Sequence, residues 1–199
     1  MNIGLTGGIA CGKSTVANML VEGGAVLVDA DQIAREVVLP GSSVLQEIEA
    51  RFGADILDEY GSLKRKELGK IVFQDDQARK ALEDIMHPAI RALMKARMEE
   101  LEQADPNRLV VVDVPLLYES DLVHLFENVM VVYIPTTLQL KRLMDRDGLD
   151  EAAARQRLQA QMPIEEKKRR ADFVIDNQGT LVQTREQVIA YLNEWKPKI

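Results

Sequence analysis

Gly7, Gly12, Lys13 and Ser14 stand at the spacing G-x-x-x-x-G-K-[S/T], the pattern of a loop whose backbone N–H groups converge on phosphate oxygens. Glycines are required because side chains would block that close approach. In Gly7-Gly8-Ile9-Ala10-Cys11-Gly12-Lys13-Ser14, the Lys13 ammonium would reach the β- and γ-phosphates and the Ser14 hydroxyl would ligate Mg²⁺. Nucleotide phosphate is therefore the expected ligand. Cys11 sits near a helix N-terminus and Lys13, surroundings that lower a thiol pKa. Its expected role is that of a small residue filling the loop, and its oxidation would then block nucleotide binding.

Three further groups could act on a transferring phosphoryl. Asp29-Ala30-Asp31 follows an apolar run, and a carboxylate there can take the proton of an attacking hydroxyl. The competing use of Asp31 is as N-cap of the helix containing Ile33, Ala34, Val37 and Val38; beside a phosphate loop, catalysis is favoured for Asp31 and less so for Asp29. Leu109-Val110-Val111-Val112-Asp113 has the form of a strand ending in a Mg²⁺-holding carboxylate, often acting through water. If that strand ends beside the first, Asp113 lies near Ser14. Arg142 and Arg146 are four apart, on one helix face, with Leu140, Leu143 and Met144 facing elsewhere. Like charges at that spacing repel by a few tenths of a kcal/mol unless an anion covers them. Asp145 and Asp147 are the alternative partners.

The elements that must position these groups are legible as five apolar runs: Ile3–Thr6, Ala25–Asp29, Leu109–Asp113, Val129–Ile134 and Phe173–Asp176. Helical patterns lie between them, as in a five-stranded parallel sheet with helices on both faces and ligands at the carboxyl ends of the strands. The stretch 30–108 is too long for one crossover and reads as an inserted helical region. Within it Leu82, Ile85 and Met86 share a face, and Ile90, Leu93, Met94, Met98 and Leu101 continue at helical spacing after His87-Pro88, where a helix break is expected. The Met-rich stripe should be core. A second excursion, 138–168, is placed as a lid. The expected organisation is a single unit: core about 1–29, 109–137 and 169–199, helical substrate-binding insertion about 30–108, and lid about 138–168.

Among the 199 residues, 46% are hydrophobic, enough to fill such a core, and the net charge is −7. The acidic balance argues against a nucleic-acid partner. Residues 141–170 nevertheless hold nine Lys/Arg against six Asp/Glu, which suits a polyphosphate. Glu165 with Arg169 and Glu166 with Arg170 are favourable i,i+4 pairs, so Lys167 to Arg170 are expected on a solvated face. One cysteine excludes an internal disulfide, and His87 and His124 are too far apart for a zinc site. With no membrane-length apolar run and a motif starting seven residues from Met1, the expectation is a cytoplasmic chain without leader or membrane contact. A monomer is the expected state. The Asn-Lys-x-Asp motif of a guanine-reading switch is absent.

Together these segments resemble the dephospho-coenzyme A kinase family. The resemblance runs nearly end to end: Gly4 to Ile9 leading into Gly12 to Thr15, Asp29-Ala30-Asp31 with Ile33-Ala34-Arg35, His87-Pro88-Ala89-Ile90-Arg91, Asp113-Val114-Pro115-Leu116-Leu117-Tyr118-Glu119, Arg142 to Asp147, and Ala171 to Asn177. It implies a P-loop NTPase fold and transfer of the ATP γ-phosphoryl to the 3′-hydroxyl of dephospho-CoA with Mg²⁺. By the same resemblance Asp31 is the base near that hydroxyl. Gly7, Gly8, Ile9, Ala10, Cys11, Gly12, Lys13, Ser14 and Thr15 bind ATP, and Arg142 and Arg146 close over its phosphates. His87, Arg91, Leu117, Tyr118 and Glu119 belong to the dephospho-CoA side. Asn177 and Gly179, after the last strand, are placed on the adenine side. The family usually has Gly and Ser where this chain has Ala10 and Cys11, which bears on loop flexibility. The rival readings are a nucleoside or nucleotide kinase with the same machinery and a non-catalytic ATP-binding sensor.

Overall fold

Asn2–Gly7 forms β1 in the computed structural model, which describes residues 1–195. All six of its residues are buried, as a strand covered on both faces must be. Then come α1 (Lys13–Glu22), β2 (Val26–Asp29), α2 (Ala30–Glu36), α3 (Ser43–Phe52), α4 (Arg65–Gln74), α5 (Asp76–Ala104) and β3 (Val110–Asp113). The remainder is β4 (Asn128–Tyr133), α6 (Thr136–Asp147), α7 (Glu151–Gln159), α8 (Ile164–Arg170), β5 (Phe173–Asp176) and α9 (Leu181–Trp195). Residues 196–199, the end of the core segment expected over 169–199, lie outside the described residues. Each strand falls within one residue of its expected ends, because short β-branched apolar runs fit a pleated sheet; β2, at the sheet edge, leaves Leu27 exposed.

The strands form one sheet in the order β2-β3-β1-β4-β5, with β1 parallel to β3 and β4, and β4 parallel to β5. Leu5 lies opposite Asp113 on one side of β1, and Gly7 opposite Val132 on the other. Strand alternation divides the two faces. Ile3, Leu5, Val111, Met130, Val132 and Ile175 share a cluster with Val16 and Leu20 of α1 and Val188 and Leu192 of α9. On the opposite face a Cβ at Gly4 would fall 2.5 Å from Leu117 and 2.7 Å from Phe126, and α8 packs on β4.

Asp29–Arg97 is a compact unit of its own, and Met1–Val28 with the chain from Met98 onward is the other. The smaller unit carries α2, α3, α4 and α5 up to Arg97, with a short antiparallel bridge between Leu57 and Leu63. Two of its helices, α2 and α3, start on side-chain caps. The Ser42 hydroxyl accepts from the Leu45 N–H at 3.1 Å, satisfying a donor that the first helical turn leaves open. Among the described residues no helix is long and apolar enough to cross a membrane.

The helix break expected at His87-Pro88 is not there: α5 runs unbroken from Asp76 to Ala104 with Pro88 inside it. A proline in a helix interior forfeits one backbone bond and crowds the carbonyl four residues earlier, a cost of about 3 kcal/mol. Here the apolar stripe stays in phase across it, since Met86, Ile90, Met94 and Met98 follow at intervals of four. Met94 and Met98 are buried, whereas Met86 and Ile90 are only half-buried, so the expected core stripe is complete only at its C-terminal end; one continuous helix keeps the stripe on a single face. Pro88→Ala is accordingly expected to stabilise the protein by about 1–3 kcal/mol, read as a higher urea midpoint; an unchanged midpoint would show that the helix relaxes around the proline at no cost.

Candidate active site

β1 delivers Gly7 to the carboxyl edge of the sheet, and α1 begins at Lys13. The turn between them needs left-handed backbone at two residues, Ala10 with φ 61° and Gly12 with φ 84°. Gly12 fits at no steric cost, and a Cβ there would strike the Asn177 amide. Ala10 pays about 1 kcal/mol for the same region of φ, which the glycine usual at this position in the family resembled above would avoid. Side chains from elsewhere hold the turn. The Ile9 N–H donates to Gln161 Oε1 and the Ile9 carbonyl accepts from Gln139 Nε2, both at 2.9 Å. Asn177 Nδ2 donates to the Cys11 carbonyl at 2.8 Å, while its Oδ1 accepts from the Thr184 hydroxyl at 2.8 Å. The buried Asn177 amide is thus engaged by the loop and α9.

The loop lines a cavity of about 690 Å³ whose wall also contains Pro115, Arg142, Arg146, Gln161, Asn177 and Gly179. Lys13 Nζ is paired with Asp113 Oδ1, as the register of β3 beside β1 dictates. Ser14 is exposed in the first turn of α1. Arg142 and Arg146 both lie on α6, as their spacing required, but they are held differently. Arg142 Nη2 donates to the Asn177 carbonyl at 3.1 Å. Arg146 Nε pairs with Asp147 at 2.7 Å, and Arg157 reaches the second oxygen of the same carboxylate at 2.7 Å. The hydrogen bond from Arg146, and then the charge of Arg157, hold the Asp147 carboxyl below its usual range. Neutralisation by Asp147 therefore applies to Arg146.

The segment after β3 and helix α8 lie in surroundings that the sequence did not show. Leu117 was expected on the acceptor side, but its side chain is fully buried over Gly4. Tyr118 is buried as well, and burial followed by the charge of Asp172 pushes its phenol up to about 12. Glu119 is bound within the protein: its Oε1 takes the Lys167 ammonium at 2.8 Å and the Met162 N–H at 2.8 Å. Lys167, expected on a solvated face, has no exposed surface. Its ammonium also donates to the Gly7 and Pro115 carbonyls, each at 3.3 Å, so all three of its donors are used. Glu166 pairs with Arg170 as expected, but Glu165 accepts from the Tyr133 hydroxyl at 2.7 Å, which pushes that phenol up to about 12. Gln139, Gln161 and Lys167 were missed by sequence reasoning. For Lys167 a signal existed: it lies three residues from the buried Ile164, on the face that α8 turns inward.

Cys11 fills the loop as a small residue, as expected, but its surroundings do not activate the thiol. Its thiol is 1% exposed and belongs to the core cluster, and burial raises its pKa above the ordinary 9.0 despite the loop N–H of Lys13 and the charges of Lys13 and Lys167. Desolvation of a thiolate outweighs these attractions because no solvent reaches the sulfur. A raised folded-state pKa means that stability from this group is complete below pH 9.0 and is lost as pH rises from there toward the folded value. Native protein at pH 8 is expected to react with a disulfide reagent far more slowly than the same protein in urea; equal rates would restore the exposed, activated thiol.

In the unit Asp29–Arg97, Asp29 is the N-cap of α2: its Oδ1 accepts from the N–H of Asp31 at 2.8 Å and of Gln32 at 3.2 Å. Asp31 is therefore not the cap, and its carboxylate is exposed. His87 and Arg91, one turn apart on α5, are half-buried in this unit. Among the described residues no group of three or more His, Cys, Asp or Glu could hold a metal.

A family model described as dephospho-CoA kinase matches residues 1–183. A dephospho-CoA kinase of Shouchella clausii is 52% identical over 94% of this chain and 95% of its own, and one of Halalkalibacterium halodurans is 48% identical over 98% and 97%. The solved dephospho-CoA kinase of Campylobacter jejuni superposes with a TM-score of 0.77 at 35% identity, covering 98% of this chain and 96% of its own. A shikimate kinase from Acinetobacter baumannii, 22% identical with a TM-score of 0.51 over 99% of this chain and 95% of its own, shares the fold.

Proposed function

The chain belongs to the dephospho-CoA kinase family, and from that premise we propose that it transfers the γ-phosphoryl of ATP to the ribose 3′-hydroxyl of dephospho-CoA, giving coenzyme A and ADP. This is the last step of coenzyme A biosynthesis. The observation that carries the reading is the cavity in which the Gly7–Thr15 loop, Lys13, Arg142 and Arg146 converge. Backbone donors, an ammonium and two guanidiniums around one space of that size suit a triphosphate and little else.

The work divides by chemistry. The loop N–H groups and Lys13 orient the β- and γ-phosphates, and Arg142, with Arg146 behind it, neutralises charge on the transferring group. Mg²⁺ would be held by Ser14 and, directly or through water, by Asp113. Two oxygen donors at a phosphate site fit an ion that takes its other ligands from phosphate and water; when bound it would neutralise negative charge on the phosphates. Lys13, now on Asp113, would exchange that carboxylate for phosphate as nucleotide enters. Asp31 takes the proton of the 3′-hydroxyl, and its exposed carboxylate, released from capping by Asp29, supports that role. His87 and Arg91 serve the acceptor, with 30–108 as the insertion that holds it. The stretch 138–168 closes over ATP and keeps out water that would hydrolyse it. Monomeric action in the cytoplasm, without nucleic-acid or membrane partners, completes the reading.

The test is MgATP consumption with dephospho-CoA, AMP and adenosine offered separately. Turnover is expected with dephospho-CoA. Turnover with AMP alone would make this a nucleotide kinase, and ATP binding with no turnover on any acceptor would make it a sensor.

A further inference from the structure

We propose that Lys167 is a positioning residue for ATP, fixing the first peptide of the phosphate loop from behind; the proposal rests on the reading of Gly7–Thr15 as the ATP phosphate site. A lysine with no exposed surface pays heavily for desolvation. Here the ammonium is met by one carboxylate and two backbone carbonyls. Those carbonyls have a particular place. Gly7 is the last residue of β1, and Pro115 lies two residues past the end of β3; the Thr6 hydroxyl also donates to Pro115, at 3.1 Å. One ammonium therefore ties together the end of β1, from which the loop departs, and the turn that follows Asp113 at the end of β3.

The consequence for the loop follows from peptide geometry. Among the described residues there are no cis peptide bonds, and in a planar trans peptide the carbonyl and the next N–H point in opposite directions. Holding the Gly7 carbonyl on Lys167 thus turns the Gly8 N–H away from Lys167, toward β4, where Gly7 stands opposite Val132. The peptide that leaves β1 for the phosphate loop is fixed before any nucleotide arrives, and Gly8 beyond it lines the cavity. A loop anchored in this way spares the site reorganisation on binding. Stability alone does not account for the residue, because a buried ion pair can be replaced by apolar groups of similar volume at little or no loss. Glu119 completes the device by holding Lys167 and the Met162 N–H together, so α8 and its approach are fastened to the same point.

The experiment is MgATP binding by calorimetry, with steady-state kinetics, on Lys167→Met. Expected is a folded protein whose Kd and KM for ATP rise by about 10–100-fold, as when an outer support of a binding group is removed, with KM for dephospho-CoA unchanged. Wild-type ATP affinity in the folded variant would overturn the proposal, and so would an equal rise in both KM values. Should Lys167→Met not fold, the double variant Lys167→Met/Glu119→Gln removes both buried charges and keeps an acceptor for Met162. Weak ATP binding by the folded double variant supports positioning, and wild-type binding by it overturns it. Wild-type protein unable to bind MgATP would instead sink the reading of the loop itself, and the proposal with it.

Discussion

Replacing Asp31 by asparagine is expected to lower kcat by about 10²–10⁴-fold while ATP still binds, the loss typical of removing a general base. The neutral amide keeps the shape of the side chain but cannot accept the hydroxyl proton. A stability change should be slight, since an acidic side chain in a first helical turn is worth only about 0.3–1 kcal/mol. Asp29 supplies the contrast. It caps α2 through two N–H groups, so Asp29→Ala should cost about 1 kcal/mol of stability and little turnover. Asp31→Asn with wild-type kcat would assign the base elsewhere, and an Asp29→Ala enzyme that folded normally but lost turnover would exchange the two roles.

That contrast was beyond reach from sequence. Two aspartates two residues apart at a strand-to-helix junction have equal claims on the cap, and only the extended backbone of Asp29, with φ −98° and ψ 114°, settles which one takes it. The strands and the phosphate loop were legible because each depends on local pattern: continuous apolar runs for the sheet, and glycine spacing for the turn. Errors came where distant chain decides. Cys11 has a helix N-terminus and Lys13 near it, which locally favour a thiolate, yet β1, α1 and α9 enclose it in their cluster and desolvation wins. Lys167 stands in a run of four basic residues, which reads as a solvated face, yet it meets acceptors at residues 7, 115 and 119. Pro88 breaks a helix by local rule, and the i,i+4 stripe across it overrides the rule.

Arg142→Met is expected to lower kcat by about 10³-fold, the lower end of what an arginine on a transferring phosphoryl contributes. Arg146→Met should cost less. Both side chains line the cavity, but to meet phosphate Arg146 must exchange Asp147, a carboxylate already drawn to it and to Arg157. Arg142 gives up a hydrogen bond to a neutral carbonyl, that of Asn177. An ion pair with a carboxylate holds a guanidinium more strongly than a hydrogen bond to an uncharged carbonyl, so Arg142 is the guanidinium more readily transferred to ATP. The Asn177 peptide also gives it a fixed starting point, because Asn177 donates its own N–H to Tyr133 at the end of β4 and its amide to the loop at Cys11. Arg142→Lys should recover little, since an ammonium lacks the planar fork that spans two phosphate oxygens. The deciding measurement is kcat with saturating ATP for Arg142→Met and Arg146→Met. A larger loss at Arg146 would mean that Asp147 releases its partner when nucleotide binds, and Asp147→Asn should then raise ATP affinity.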